Sequence, residues 1–234
     1  MSKNNIAWKD KSNPQELFDS YNRFIMSNDR KVFFKLIERA NLYSKVKDLH
    51  GDIVECGVFK GAGMLAWLKL VDMYQPHSIK KVIGFDFFDP SFVDNLKNDL
   101  DRINMKHVFN RDPSLDWNAV SLARVNEVIA SSGFNDDKFH LVKGDISVTC
   151  QEYIADRPGF RISLLYLDLD LEEPTYNTLC AFWERVVPGG VVVFDEYGIH
   201  TWSEANAVDR FLRDKNLKLI NTNIFSPSAY VIKE

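Results

Sequence analysis

The stretch Gly51-Asp-Ile-Val-Glu-Cys-Gly-Val-Phe-Lys-Gly-Ala-Gly63 constrains the chain more than any other. Ile53 and Val54 close a short apolar run, and Gly57, Gly61 and Gly63 follow. Met64 to Tyr74 then reads as a helix that is apolar nearly all round. Strand, glycine turn and helix in that order let a backbone approach a nucleotide-like ligand closely, because glycine has no Cβ in the way. Glu55 sits where the strand should end. A carboxylate there suits a cationic or hydroxyl-bearing ligand better than a pyrophosphate.

A chain of 234 residues is long enough for one α/β domain with a well-buried core, and no compositional break divides it. The balance of 29 Lys plus Arg against 33 Asp plus Glu argues against a dedicated nucleic-acid binder, which carries a basic excess on some face. Cys56, Cys150 and Cys180 fall inside expected elements without CxxC spacing, as free thiols of a reducing compartment do. The polar start Met-Ser-Lys-Asn-Asn lacks a signal peptide's apolar core, and no apolar run approaches the roughly 20 residues of a membrane span. These features point to a cytoplasmic protein with no membrane partner.

Residues 1–50 read as a helical cap or lid segment, and 51–234 as the main domain. Ser12 or Asn13 suits an N-cap with Pro14 in the first turn, and Leu17, Phe18, Tyr21 and Ile25 recur at helical spacing. In a second helix Val32, Phe33, Leu36, Ile37 and Ala40 mark the apolar face. The two helices either cover a sheet edge or close over a bound ligand. Lys81 to Phe85 is a buried strand ending in Asp86, where a doubly wound fold meets ribose hydroxyls. Residues 87–133 exceed one crossover helix and read as an insertion on the ligand face, with Pro90, His107, Pro113, Trp117 and an apolar helical stretch from Leu115 to Ile129. Phe139 to Val142 is a third strand, in which His140 reads as a core or edge histidine. It leads to Gly144-Asp145, with Ser147 as the expected cap of the next helix.

The densest chemistry comes next. Ile162 to Leu167 is apolar almost throughout, the mark of a strand buried on both faces, and it ends in Asp168-Leu-Asp170. Pro174 opens a helix expected to run through Trp183 and Val187 to a stop at Pro188-Gly189-Gly190. Val191 to Phe194 is another buried strand, ending in Asp195-Glu196-Tyr197. Parallel strands put these ends on one edge, so Asp168, Asp195 and Glu196 should converge. Crowded carboxylates must share a proton or a cation, and a hard divalent ion such as Mg²⁺ fits oxygen ligands best. His200 reads either as a base near that ion or as a surface histidine, and Ser203 as the cap of a helix bearing Ala207, Val208, Phe211 and Leu212. Leu217 to Asn221 and Ala229 to Ile232, joined across Pro227, should pair antiparallel.

These residues resemble a known family. Glu-x-Gly-x-x-x-Gly after a strand, Asp86 on the second strand, Gly-Asp on the third and the closing antiparallel pair resemble the class I S-adenosylmethionine-dependent methyltransferases. Leu167-Asp-Leu-Asp170, Pro188 to Gly198, and Glu204-Ala-Asn-Ala-Val-Asp-Arg-Phe211 resemble more closely the TylF/MycF, or macrocin O-methyltransferase, family of Mg²⁺-dependent sugar O-methyltransferases. The resemblance implies a Rossmann-like, mostly parallel seven-stranded sheet with a C-terminal antiparallel pair and helices on both faces. It implies S-adenosylmethionine as cofactor. Glu55, Cys56, Gly57, Val58 and Gly61 would lie at its methionine end, Asp86 and Phe87 at its ribose, Gly144, Asp145 and Ile146 at its adenine, and Asp168 beside it. Asp168, Asp195 and Glu196 would hold Mg²⁺, with Asp168 or Asp170 near the acceptor oxygen. Glu196 stands where the family more often has a second Asp, which lengthens one ligand. The expected partner is a sugar-like small molecule bearing a hydroxyl, with no nucleic acid, and the expected assembly is a homo-oligomer, a dimer or higher.

Other readings remain. A catechol-type O-methyltransferase also presents acids and a metal to vicinal oxygens. A nicotinamide-dependent oxidoreductase would want Gly-x-Gly-x-x-Gly, which is absent, and Tyr43-x-x-x-Lys47 precedes the glycine turn instead of following it. A non-catalytic module keeping the cofactor crevice is the third.

Overall fold

The computed structural model describes residues 14–110 and 117–234. The expected cap at Ser12 or Asn13, Pro113 and the start of the Leu115–Ile129 stretch lie outside the described residues. Two helices come first, α1 (Pro14–Ile25) and α2 (Arg30–Val46). The sheet strands follow as β1 (Asp52–Cys56), β2 (Val82–Asp86), β3 (Phe139–Lys143), β4 (Ile162–Leu167), β5 (Val186–Phe194), β6 (Ile220–Asn221) and β7 (Ala229–Ile232). The helices between them are α3 (Ala62–Tyr74), α4 (Asp99–Asn110), α5 (Leu122–Ser131), α6 (Ile146–Ala155), α7 (Glu172–Phe182) and α8 (Glu204–Leu212).

Strand order is β3-β2-β1-β4-β5-β7-β6, parallel from β3 to β5, with β7 antiparallel to both β5 and β6. The order reverses between β1 and β4, and a crevice opens at such a switch point. Alternate residues of the central strands feed two cores. Ile53, Leu164, Tyr166, Val191 and Val193 pack toward α2, α3 and α5. Val54, Cys56, Leu165, Leu167, Val192 and Phe194 pack toward α6, α7 and α8. All six residues of β4 are buried, so its continuous apolar run serves both faces.

Register carries this order to the sheet edge. Cys56 pairs with Leu167 and Leu167 with Phe194, so Gly57, Asp168 and Asp195 leave the sheet side by side. The Asp168 N–H still donates to the Cys56 carbonyl (2.8 Å) and the Asp195 N–H to the Leu167 carbonyl (2.9 Å). The acids are thus placed by backbone bonds before their side chains are considered.

Four local expectations are corrected. α7 starts at Glu172, with Pro174 in its first turn where no N–H is needed, and ends at Phe182. β5 begins at Val186, because a shift in pairing between Ile162 and Leu164 takes Val187 to Gly190 into a bulge that tolerates a proline. Asp145, not Ser147, caps α6 by accepting the Ser147 N–H. Ser203 stands at the start of α8 but does not cap it. Its hydroxyl accepts the Glu172 N–H (2.9 Å) and donates to Asp101 (2.9 Å), tying α4 to the start of α7.

The N-terminal helices differ most from expectation. α1 buries no residue, and Leu17, Phe18, Tyr21 and Ile25 are exposed. On α2, Val32, Phe33, Leu36 and Ile37 are also exposed, while Arg39, Leu42, Tyr43 and Val46 are buried. The inward stripe therefore runs Lys35, Arg39, Leu42/Tyr43, Val46, with cations at the end nearest the carboxylates. Among the described residues no helix is long and apolar enough to cross a membrane.

Candidate active site

Two glycines of the turn are required by contact. Gly57 leaves β1 at φ +92°, and a Cβ there would lie 1.9 Å from the Asp168 carbonyl oxygen. A Cβ on Gly63 would lie 1.9 Å from Glu55 Oε1 and 2.7 Å from Arg39 Nη2. The turn thus presses against β4 on one side and a buried ion pair on the other.

That ion pair holds Glu55. Arg39 donates to Glu55 Oε1 at 2.8 Å, and the guanidinium stacks 4.9 Å over Tyr166 and 5.4 Å from Trp67. Glu55 is 2% exposed, and burial pushes its carboxyl up to about 7 despite Arg39. The cation that its position called for is supplied by the chain itself. Asp86 is also engaged, accepting the N–H groups of Val58 (2.8 Å), Phe59 (2.9 Å) and Phe88 (2.8 Å).

A cleft of about 280 Å³ opens beside the switch point. That is close to the lower end of small-molecule sites, about 300 Å³. Of the residues anticipated for the cofactor, Gly57, Asp86, Phe87, Gly144, Ile146 and Asp168 line it, and Asp170 joins them. Glu55, Cys56, Val58, Gly61 and Asp145 do not border it. Cys56 and Val58 are core, Gly61 starts α3 in a left-handed conformation, and Asp145 is the cap of α6. The insertion adds apolar wall through Phe92, Met105 and Phe109, with Phe87 and Phe92 stacked at 4.6 Å.

At one end of the cleft stands the acid cluster. One oxygen each from Asp168, Asp195 and Glu196 lie within 4.8 Å of one another. Lys35 from α2 donates to Asp168 Oδ2 (3.0 Å) and Asp195 Oδ2 (2.8 Å). Asp195 also accepts short hydrogen bonds from the Tyr166 and Ser226 hydroxyls. Glu196 Oε2 is buried without a partner, and so is Glu204 Oε2, whose other oxygen accepts the Glu196 N–H at 3.0 Å.

The electrostatics follow from too many acids. Burial and then Asp195 push Asp168 up to about 6, and burial with Asp195 and Asp168 pushes Glu196 up to about 8. Asp170, in a left-handed backbone conformation (φ 63°), is held well above the usual carboxylate range by burial and by Asp168. Burial would lower Lys35, but Asp168 and Asp195 hold it above the usual lysine range. One ammonium does not neutralise this group. The donors are all carboxylate oxygens, one is unpartnered, and a cation already sits on two, so the residues fit a hard divalent ion.

His200 is exposed and lines a separate hollow with Tyr197, Asn221, Phe225 and Ser228. His140 lies exposed on edge strand β3, 5.6 Å from the Tyr153 ring, as an edge histidine should. Sequence reasoning missed Lys35, Arg39, Tyr166 and Ser226. The available signal for the first two was their i, i+4 spacing, continued by Leu42/Tyr43 and Val46 on one side of α2.

A family model described as macrocin O-methyltransferase (TylF) matches residues 33–231. The chain belongs to the macrocin O-methyltransferase family. Its match begins at residue 33, so the helix bearing Lys35 and Arg39 lies within the family region while α1 precedes it. The chain is 29% identical over 159 residues to the 8-demethyl-8-(2,3-dimethoxy-alpha-L-rhamnosyl)-tetracenomycin-C 4'-O-methyltransferase of Streptomyces olivaceus. That alignment takes in 66% of this chain but 56% of the relative, little more than half its length. The structure of CalS11, a calicheamicin methyltransferase, superposes with a TM-score of 0.71 at 25% identity, over 95% of this chain and 87% of that one. CalS11 is a TDP-rhamnose 3'-O-methyltransferase. The O-methyltransferase NovP superposes with a TM-score of 0.70 at 23% identity, over 86% of this chain and 79% of that one, and bears on the fold alone. Members of this family are S-adenosylmethionine-dependent O-methyltransferases, and the Rossmann-like sheet found here is their fold.

Proposed function

We propose that this protein transfers a methyl group from S-adenosylmethionine to a hydroxyl of a sugar or glycoside, with Mg²⁺ held by Asp168, Asp195 and Glu196. One observation carries the reading: Asp168 belongs both to the wall of the cleft and to the under-neutralised acid cluster. A donor in the cleft and an acceptor oxygen at the acids would therefore meet at Asp168. The sugar acceptor is supported by the relatives, whose names specify a rhamnosyl 4'-hydroxyl and TDP-rhamnose.

When bound, S-adenosylmethionine supplies an electrophilic methyl group and Mg²⁺ a Lewis acid that lowers the pKa of the acceptor hydroxyl. The chain's own residues do the rest. Asp168, which lines the cleft and belongs to the acid cluster, would stand near the acceptor hydroxyl, with an oxygen not committed to the ion left to take its proton. The Tyr166 and Ser226 hydroxyls donate to the Asp195 carboxylate and fix its orientation. Phe87, Phe92 and Phe109 line the cleft and exclude water from the donor. Alignment of donor and acceptor then supplies much of the rate enhancement.

The test is an acceptor panel with S-adenosylmethionine: TDP-rhamnose, a rhamnosylated polyketide and a phenolic diol, each with Mg²⁺ or with chelator, read by product mass. Methylation of a sugar-bearing acceptor that chelator stops is the expected result. Transfer to the phenolic diol alone would replace the sugar reading with a catechol-type one. Sugar methylation at full rate under chelation would remove the metal.

A further inference from the structure

The position of Lys35 is not explained by packing. From Pro14 to Glu38 no residue is buried, and the first buried residue of the N-terminal segment is Arg39. Two lysines tie this segment to the body: Lys35 on Asp168 and Asp195, and Lys31 set 4.6 Å over the Phe225 ring. The Lys35 side chain is 27% exposed while Asp195 is 1% exposed, so a helix on the surface reaches down to a carboxylate that is not. Segments with few apolar contacts open at low free energy.

Lys35 also sits on the oxygens a divalent ion would need. It engages Oδ2 of Asp168 and Oδ2 of Asp195, and it leaves Glu196 Oε2 without a partner. Arg39 is committed to Glu55, so among the described residues Lys35 is the one cation bonded to Asp168, Asp170, Asp195 and Glu196. An ammonium satisfies two of the three donors. A divalent ion spans all three at shorter range, and two cations sharing the same pair of oxygens repel each other in a half-buried site.

We propose that Lys35 is a latch that occupies the divalent-ion site of the free protein, and that ion binding displaces it and lets α1 and the first turns of α2 fray away from the mouth of the site, ahead of the buried Arg39. This rests on the metal reading given above. It implies an order of events: the ion enters first, the segment frays, and the acceptor then reaches carboxylates that the lysine had covered. The segment is a lid whose closed state is held by the same groups that hold the ion.

Mn²⁺ serves as the probe, with binding followed by electron paramagnetic resonance on the full chain. Lys35→Gln should bind Mn²⁺ at least tenfold more tightly than the unaltered protein, while Lys35→Arg, which keeps the cation, should stay close to it. In the unaltered protein, saturating Mn²⁺ should speed amide exchange across residues 30–38 by threefold or more. Equal or weaker binding by Lys35→Gln, with binding abolished in Asp168→Asn, would leave the metal site standing and overturn the latch. Absence of Mn²⁺ binding in both the unaltered and Lys35→Gln proteins would overturn the metal reading and the latch together. If Lys35→Gln does not fold, the exchange measurement decides, and unchanged or slowed exchange overturns the proposal.

Discussion

Glu55 and Asp86 lie at the ends of β1 and β2, and Asp168 and Asp195 directly follow β4 and β5, so all four are acids at strand ends on one edge of one sheet. The first pair is spoken for. Glu55 has Arg39, and Asp86 has three backbone N–H groups. Among the described residues the second pair shares one lysine among several acids and stands beside Glu196 Oε2, a buried oxygen that receives no hydrogen bond. An acid at a strand tip is therefore not functional by position. What separates structural from reactive is whether the rest of the chain brings it enough positive charge.

The comparison makes predictions of opposite sign for the two pairs. The largest effect is on the second pair. Asp168→Asn should cut methyl transfer by roughly 10³-fold or more, within the range of losing a positioned base, measured as kcat/KM. It should leave the unfolding midpoint unchanged or raise it, because a carboxyl already pushed up to about 6 gains from becoming neutral. Next comes the first pair. Arg39→Met should destabilise the fold by about 3 kcal/mol in denaturant unfolding at pH 7, the low end for stripping one partner from a buried pair, since the orphaned Glu55 takes a proton. Asp86→Asn should cost about 1–2 kcal/mol, because one of the two accepting oxygens becomes an amide NH2 that faces a backbone N–H and leaves it unsatisfied. A stabilised Arg39→Met would erase the distinction between the pairs.

The smallest effect is a pH dependence. Glu196 is held at about 8, above the 4.5 of an ordinary glutamate. A carboxyl with a raised folded pKa holds its proton better folded than unfolded, so stability falls as pH rises from about 4.5 through 8. In metal-free protein, Glu196→Gln should make that fall shallower in a series of thermal scans, and it should have no effect below the unfolded pKa. A steeper fall in the variant would mean that Glu196 is ionised in the folded chain.

Much of this was legible in sequence for a physical reason. Parallel strands buried on both faces announce themselves as apolar runs such as Ile162 to Leu167, and their ends must share an edge, so the meeting of Asp168, Asp195 and Glu196 could be expected. The partners of those acids could not. On α2 the apolar residues Val32, Phe33, Leu36 and Ile37 face outward, and reading the helix by apolarity turned Lys35 and Arg39 away from the sheet. Tyr166 looked like one more core residue, because its ring is core and its hydroxyl alone is chemistry. Pro188-Gly189-Gly190 read as a stop because composition does not distinguish a turn from a bulge that a neighbouring strand stabilises. Asp145 and Ser203 changed roles since each hydrogen-bonds to a backbone group or side chain that local pattern does not specify.

The antiparallel return of β7 alongside β5 has a consequence for how this site comes into being. Ser226, 31 residues beyond Asp195, binds the Asp195 carboxylate, and the Ser228 N–H reaches the carbonyls of Phe194 and Asp195. During synthesis both aspartates leave the ribosome well before the serines that steady one of them. The nascent protein thus passes through a stage with its sheet largely translated and its acidic centre still loose, and only the late-arriving strand turns that centre into a rigid instrument.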